Sequence, residues 1–521
     1  MKSQRFVGLV CLVLFLGLAG AAARIFPPVN TDEVVAAVRS WNLASGRGSW
    51  YSLYDDVFDP RIDEWRDVFP DIGRTVFNAW TGPWMRAGRG GYWAGRLSSV
   101  AAGAAALFLM FLLLRNWRWG GLALSVTLAA AAHPVFFLAS LVIRPEILLA
   151  AASMGGLALV EFVPARIRWK RFLVGCWMGL WMGIHANAAA CAAGVWVFWL
   201  IRDPEERRAA NVAAVLAGGI AAGFFLVAVT DMDRLVAGLR LMFGELLRPP
   251  LFQDPWHPWR WLAGPARLFW RPDSFYLKGG PAELWRTGTG LIWLVWIGLA
   301  VTAFRRSADP GTRRMRIALA AGAAAWWVVA AALMHRPEGL YGIQVFPFLI
   351  PLACLGLSGI PGVARRAVPA LLVAGGVFVI AVTAVRERPL YMTEPEVTAA
   401  VERLLPSPEA KILGPNRLWF HFRERFRDAG ALMYSRWFTG GIATPKDCLE
   451  RWRPDVVVAD ETFRKLFLGA GDPAVALSAR LRRPVFFLGV VDTGSAGDGP
   501  WQVLRVFWER EGRLEPNNEN M

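Results

Sequence analysis

Five cysteines in 521 residues, four of them inside long apolar stretches, exclude a disulfide framework and a cysteine-based metal site. No G-x-G-x-x-G and no P-loop occurs, so no nucleotide site is assigned. The five histidines show neither H-x-x-x-H nor H-E-x-x-H spacing, which argues against a zinc cluster. No internal repeat is visible, and few charges fall within the apolar runs. Both features weigh against a transporter built from inverted repeats with charge pairs at mid-membrane.

What is abundant is hydrophobic: 55% of the residues, with a mean hydropathy of +0.36 and 27 tryptophans. That composition fits a lipid-embedded chain. Apolar windows long enough to cross a bilayer recur from Phe6 to about Val385 and then stop. We read spans at 6–25, 93–114, 119–139, 146–164, 171–185, 188–201, 211–230, 287–304, 317–334, 341–359 and 367–386, about eleven helices in all. The fifth and sixth share one run interrupted by His185 and Asn187.

The net charge of +16 is scattered in small clusters at span ends, a topology signal rather than a nucleic-acid footprint. Lys2/Arg5, Arg115/Arg118, Arg166–Arg171, Arg202–Arg208, Arg305–Arg316 and Arg365/Arg366 alternate as an inside set. This places the N-terminus in the cytoplasm and the tail outside, in a bacterial-type inner membrane. "MKSQR", an apolar core and "AGAAA" also describe a cleaved signal peptide, and on either reading Asp32 lies outside.

The expected fold class is a polytopic α-helical membrane protein with a C-terminal α/β extracytoplasmic domain. The membrane domain covers 1–390 with outer loops 27–92 and 231–286, and the outer domain covers 391–521. "DMDRLVAGLRLMFGELL" reads as a helix lying in the interface, followed by the tryptophan- and arginine-rich "PWHPWRWLAGPARLFW". In the tail, "VTAAVERLLP" and "PKDCLERWRP" read as helices, and "AKILGP", "DVVVAD", "RPVFFLGVVD" and "WQVLRVFWE" as strands.

Asp32 and Glu33 stand together just past the first span. Asn30 and Thr31 are good N-cap residues, so the two acids also fit a first helical turn, where the dipole favours carboxylates. The functional alternative is that ionisable groups at the membrane boundary face a lipid-borne substrate. The acidic run from Asp55 to Asp67 lacks EF-hand spacing and reads as an arginine-compensated surface.

This acid pair, its short amphipathic helix and an arginine-led second span in "GYWAGRLSSVAAGAAALFLMFLL" resemble the GT-C class of membrane glycosyltransferases. Within that class the similarity is to the protein mannosyltransferase and aminoarabinose transferase group. "HPVFFLASLVIRPEILLAA" resembles its outer turn between the third and fourth spans. "HRPEGLYGIQVFPFLIPLACLGLSG" resembles its proline-studded late helix, and "RWRPDVVVAD" a strand of its outer tail. In the first outer loop, where members often carry an "HPPL"-like run, this chain has "FPDIGRTVFNAWTGPW".

The resemblance implies transfer of a sugar from a polyprenyl-phosphate carrier to an acceptor, with inversion. An anomeric phosphate already leaves well, so the site needs cations to hold developing charge more than it needs a strong acid. One carboxylate on the opposite face accepts the hydroxyl proton. Asp32 is the expected base and Glu33 its partner or a support for nearby backbone. Arg96, Arg144 and Arg336 are candidate phosphate contacts, with Arg248 and Lys278 better suited to headgroups. Glu146 is a candidate second acid, and His335 and Tyr341 are candidate substrate contacts. The expected partners are membrane lipid and the lipid-linked sugar donor, with no nucleic acid. No metal ligand set is legible, and a divalent metal stays open. The alternatives are a lipid transporter or flippase, or a non-catalytic assembly partner.

Overall fold

The computed structural model describes residues 2–26, 31–46, 74–117, 119–164, 167, 169–229, 256–257, 259, 262–270, 280–305, 310–334, 339–388, 392–429, 445–465, 472–492 and 500–508. The interfacial-helix segment near 233–246, the acidic run, His335, Arg336, Arg248 and Lys278 lie outside these residues. The chain divides into two compact units. One holds the described residues 2–26, 36–46 and those from 74 to 387; the other holds 31–35 and those from 388 to 508.

The first unit is helical: α1 (Lys2–Ala22), most of α2 (Thr31–Ala44), α3 (Thr75–Ala87), α4 (Tyr92–Asn116), α5 (Gly120–Ala131), α6 (Pro134–Leu141), α7 (Pro145–Phe162), α8 (Lys170–Leu180), α9 (Ala188–Arg202), α10 (Ala209–Ala228), α11 (Gly280–Thr302), α12 (Pro310–Leu333), α13 (Phe346–Ser358) and α14 (Gly362–Glu387). Among the described residues, seven helices are long and apolar enough to cross a membrane, or eight if α5 and α6 form one broken span. The remaining apolar segments are shorter. Cys11–Ala22 and α9 fall among helices of 10–17 residues, and α8 has 11 residues.

Local chemistry explains the breaks. Pro134 has no N–H to continue α5, and the chain bends by 63° there. The run shared by α8 and α9 opens at a 3₁₀ turn, Trp181–Gly183, and resumes only at Ala188. The span through Gly339–Ser358 is the most buried of the seven, and its first third is 3₁₀ helix.

Small residues set the closest helix contacts. A Cβ on Gly175 of α8 would stand 2.0 Å from the carbonyl oxygen of Val215 on α10, and one on Gly218 2.1 Å from that of Phe172. Gly175/Gly179 and Gly218/Ala222 thus face each other at four-residue spacing, the pattern that lets membrane helices approach backbone to backbone. Tryptophan fills the wider gaps: Trp181, Trp199, Trp285, Trp293, Trp296 and Trp326 are fully buried. At one end of the bundle, Arg171 donates to both oxygens of the buried Glu206, each at 2.8 Å, and Arg202 reaches Glu161 at 3.2 Å.

The second unit contains α15 (Glu394–Glu402), α16 (Pro445–Trp452) and α17 (Pro473–Leu481) with a five-stranded sheet. Its strands are β1 (Ile412–Gly414), β2 (Phe426–Asp428), β3 (Val456–Ala459), β4 (Val485–Val491) and β5 (Trp501–Val506), in the order β2-β1-β3-β5-β4. β1 runs parallel to β2 and β3, whereas β5 is antiparallel to β3 and β4. Val456 to Ala459 are all buried, as a central strand requires. Beside the sheet, Arg417 pairs with the buried Glu394 at 3.2 Å and lies over the Trp501 ring.

Candidate active site

Asp32 and Glu33 occupy the first turn of α2, as the N-cap reading expects. Asp32 is partly exposed, while Glu33 is fully buried. Neighbouring side chains on one helical turn are about 100° apart, so the pair presents one carboxylate outward and one inward. The turn belongs to the second unit, and the remainder of α2 to the first.

In the first unit, the cluster that forms is centred on Glu146. Pro145 starts α7 at its preferred first position, and Arg144 precedes it in an extended conformation. From there the Arg144 side chain folds over the helix start. Its Nε and Nη2 both donate to Glu146 Oε1, at 3.1 and 2.8 Å. Arg144 is 5% exposed and Glu146 0%. The second oxygen, Glu146 Oε2, is buried and has no hydrogen-bond partner among the described residues.

Two other segments converge on this pair. His185, in the turn between α8 and α9, feels the charges of Glu146, Arg74 and Arg144. Its Nδ1 accepts the backbone N–H of Asn187 at 3.0 Å, which leaves Nε2 to face other groups. Asn187 is buried, and its amide nitrogen has no partner among the described residues. The Tyr341 ring, on the 3₁₀ segment Gly339–Val345, lies 5.6 Å from the His185 ring. A buried carboxylate, two arginines, an imidazole and a phenol ring thus share one end of the bundle.

Arg96 has a defined structural contact. It is buried, donates to the carbonyl of Ala23 at 3.0 Å, and lies over the Tyr92 ring. Tyr92 in turn donates to the Arg24 carbonyl. Arg96 therefore satisfies a carbonyl just past α1, where a helix leaves its last acceptors open. It is also close to the cluster along the chain: Gly95 packs on Ile143, whose Cδ1 would meet an added Cβ at 2.5 Å.

Of the candidates read from sequence, the structure gathers Arg144, Glu146 and Tyr341 with His185. It places Asp32 and Glu33 on a helix start in the other unit, and it leaves His335 and Arg336 outside the described residues. Arg74 was missed. Its signal is an arginine directly before α3, in the stretch whose motif departs from the family pattern. His133 is a packing residue, buried with its ring edge-on to Trp293 at 4.5 Å and to Phe346 at 5.2 Å. Among the described residues, no group of three His, Cys, Asp or Glu side chains could hold a metal ion.

No family model matches the chain, and no curated protein matches it. Solved structures do. The fold is that of two solved ArnT structures. The crystal structure of ArnT from Cupriavidus metallidurans bound to undecaprenyl phosphate matches with a TM-score of 0.57 and 15% identity, covering 95% of this chain and 97% of that one. The apo structure of the same protein matches with a TM-score of 0.59 and 15% identity, covering 97% and 98%. At that identity the likeness is one of fold, and it extends over nearly the full length of both chains. The resemblance to the aminoarabinose transferase group that the sequence carries therefore extends to its architecture.

Proposed function

We propose that this chain is a glycosyltransferase that moves a sugar from a polyprenyl-phosphate donor to an acceptor hydroxyl at the outer face of the membrane, with inversion. The acceptor oxygen attacks the anomeric carbon from the face opposite the phosphate. The bond from that carbon to the phosphate oxygen breaks, and its electron pair leaves with polyprenyl phosphate. The hydroxyl proton passes to Asp32.

The division of labour follows from the chemistry. A carboxylate in the first turn of a helix is favoured in its ionised form, so Asp32 is a weak base that takes the proton late, when the attacking oxygen has become acidic. Glu33 is buried behind it and supports the turn. Guanidinium groups suit the departing phosphate because their charge is permanent and their donors form a planar fork. Arg144, already fixed in direction by Glu146, is the first candidate, and Arg74 and Arg336 are the further cations of this reading. Glu146 Oε2 and Asn187 offer an acceptor and a donor to sugar hydroxyls.

The observation that carries this reading is the buried Arg144–Glu146 pair, one of whose carboxylate oxygens has no partner among the described residues, set in a fold shared with a protein crystallised with undecaprenyl phosphate. A buried pair of this kind is costly to assemble for stability alone. Mass spectrometry of glycans and glycolipids from cells with and without the chain tests the proposal. One glycosylated product should disappear on deletion and return with the wild-type chain. An unchanged set of products would contradict it.

A further inference from the structure

A cavity of about 370 Å³ lies between α1, α4 and α5, away from the cluster around Glu146. Its walls are three helical stripes. Cys11, Leu12 and Phe15 come from α1; Leu107, Phe108, Phe111, Leu112 and Arg115 from α4; Leu124, Thr127, Leu128 and Ala131 from α5. Each set repeats at three or four residues, so each helix turns one continuous face to the same space.

The cavity is apolar along its length and charged at one end. The Thr127 hydroxyl is already bonded to the Ala123 carbonyl at 2.7 Å, so it adds no open polar group. From Leu107 to Arg115 the α4 wall is about 12 Å long. Phe108 is half exposed at its rim, which opens the space sideways. Arg115, in the last turn of α4, makes no hydrogen bond or ion pair among the described residues. A guanidinium at the end of an apolar groove, with no counter-charge paired to it among the described residues, fits an acyl chain that ends in an anionic headgroup.

We propose that this groove holds one anionic diacyl phospholipid, its chain between α1, α4 and α5 and its phosphate at Arg115. The position separates it from a lipid-linked donor. Arg96 and Arg115 are nineteen residues apart on α4, which is about 28 Å, close to the thickness of the hydrocarbon core. A phosphate at Arg115 therefore sits at the face of the membrane opposite Arg96. Trp117 and Trp119, ring to ring at 5.7 Å just beyond Arg115, suit that boundary. The inference stands whether or not the chain transfers a sugar.

Native mass spectrometry of the full-length protein from detergent tests it, with phosphatidylglycerol, phosphatidylcholine and undecaprenyl phosphate offered in turn. The wild-type protein should retain one phosphatidylglycerol in preference to phosphatidylcholine. Arg115→Gln should lower that preference by roughly fivefold, the scale of one arginine near an anionic lipid surface. Leu128→Trp, which fills the groove, should abolish retention of both lipids, and Leu112→Trp provides the same test if Leu128→Trp does not fold. Equal retention of the two phospholipids by the wild type would overturn the proposal. So would unchanged retention in Arg115→Gln and a filled variant, or displacement of phosphatidylglycerol by undecaprenyl phosphate.

Discussion

Arg144 and Glu146 are bound through a single carboxylate oxygen: both guanidinium donors converge on Oε1, and Oε2 is left without a partner among the described residues. Arginine–carboxylate pairs frequently engage both oxygens. The asymmetry leaves one acceptor for a ligand while the arginine stays fixed.

The two residues should therefore respond differently to substitution. Arg144→Lys keeps the charge but loses the planar fork, and we expect kcat/KM for the donor to fall about tenfold or more, equivalent to about 1.4 kcal/mol. Glu146→Gln removes the carboxylate charge that faces the buried Arg144 guanidinium and should lower stability by about 3–5 kcal/mol. Thermal unfolding of both variants in detergent, alongside transfer kinetics, separates the two effects. Equal loss of stability in both would show that the pair is only structural.

The contact between α8 and α10 gives a test of the bundle. At Gly175 an added methyl would collide with the Val215 carbonyl, which is backbone and cannot rotate away. Gly175→Ala should destabilise the protein by about 1–3 kcal/mol, the usual cost of overpacking. Gly223→Ala, where nothing lies within 4 Å, should be neutral in the same thermal melt.

The second unit should respond to acid through Glu396. The Thr393 backbone N–H donates to it at 2.6 Å, the Thr393 hydroxyl at 2.8 Å and Arg388 at 2.9 Å. The Thr393 amide, then the hydroxyl and then Arg388 hold its carboxyl below the ordinary value of 4.5. With the folded value depressed, the stabilising contribution is complete above the unfolded value and is lost as pH falls through the folded one. Unfolding of the full chain followed from pH 6 down to about pH 3 should show a loss of stability that Glu396→Gln reduces. An identical pH profile in the variant would contradict this assignment.

Much of the membrane part could be read from sequence because apolar length and end charges are strong signals. The shared run 171–201 illustrates this: His185 and Asn187 mark the interruption, and the structure opens there. Span number was less legible. A segment such as α8 is 11 residues long, below the length that identifies a crossing from composition. In the second unit, "ILG", "VVVA" and the two late strands are found where β-branched runs suggest them. β2 was missed because "FRD" is three residues with no alternation to read. α17 was also missed, although Asp472 caps it and Pro473 begins it.

The site was legible as residue types and not as contacts. Arg144 and Glu146 are two apart, a spacing that faces opposite sides within a helix. They meet because Arg144 lies before the helix in extended backbone, which only the Pro145 start signal hints at. His185 joins them through a turn more than thirty residues away, and no local pattern reports such a meeting.

Single-turnover transfer by purified Asp32→Asn protein decides whether Asp32 takes the acceptor proton. The substitution keeps size and the capability to hold the helix start while removing the basic carboxylate. With Asp32 as the base, the variant folds and binds the polyprenyl-phosphate donor as the wild type does, but transfers sugar slower by about 100-fold or more. Transfer at the wild-type rate by the folded variant would contradict that role.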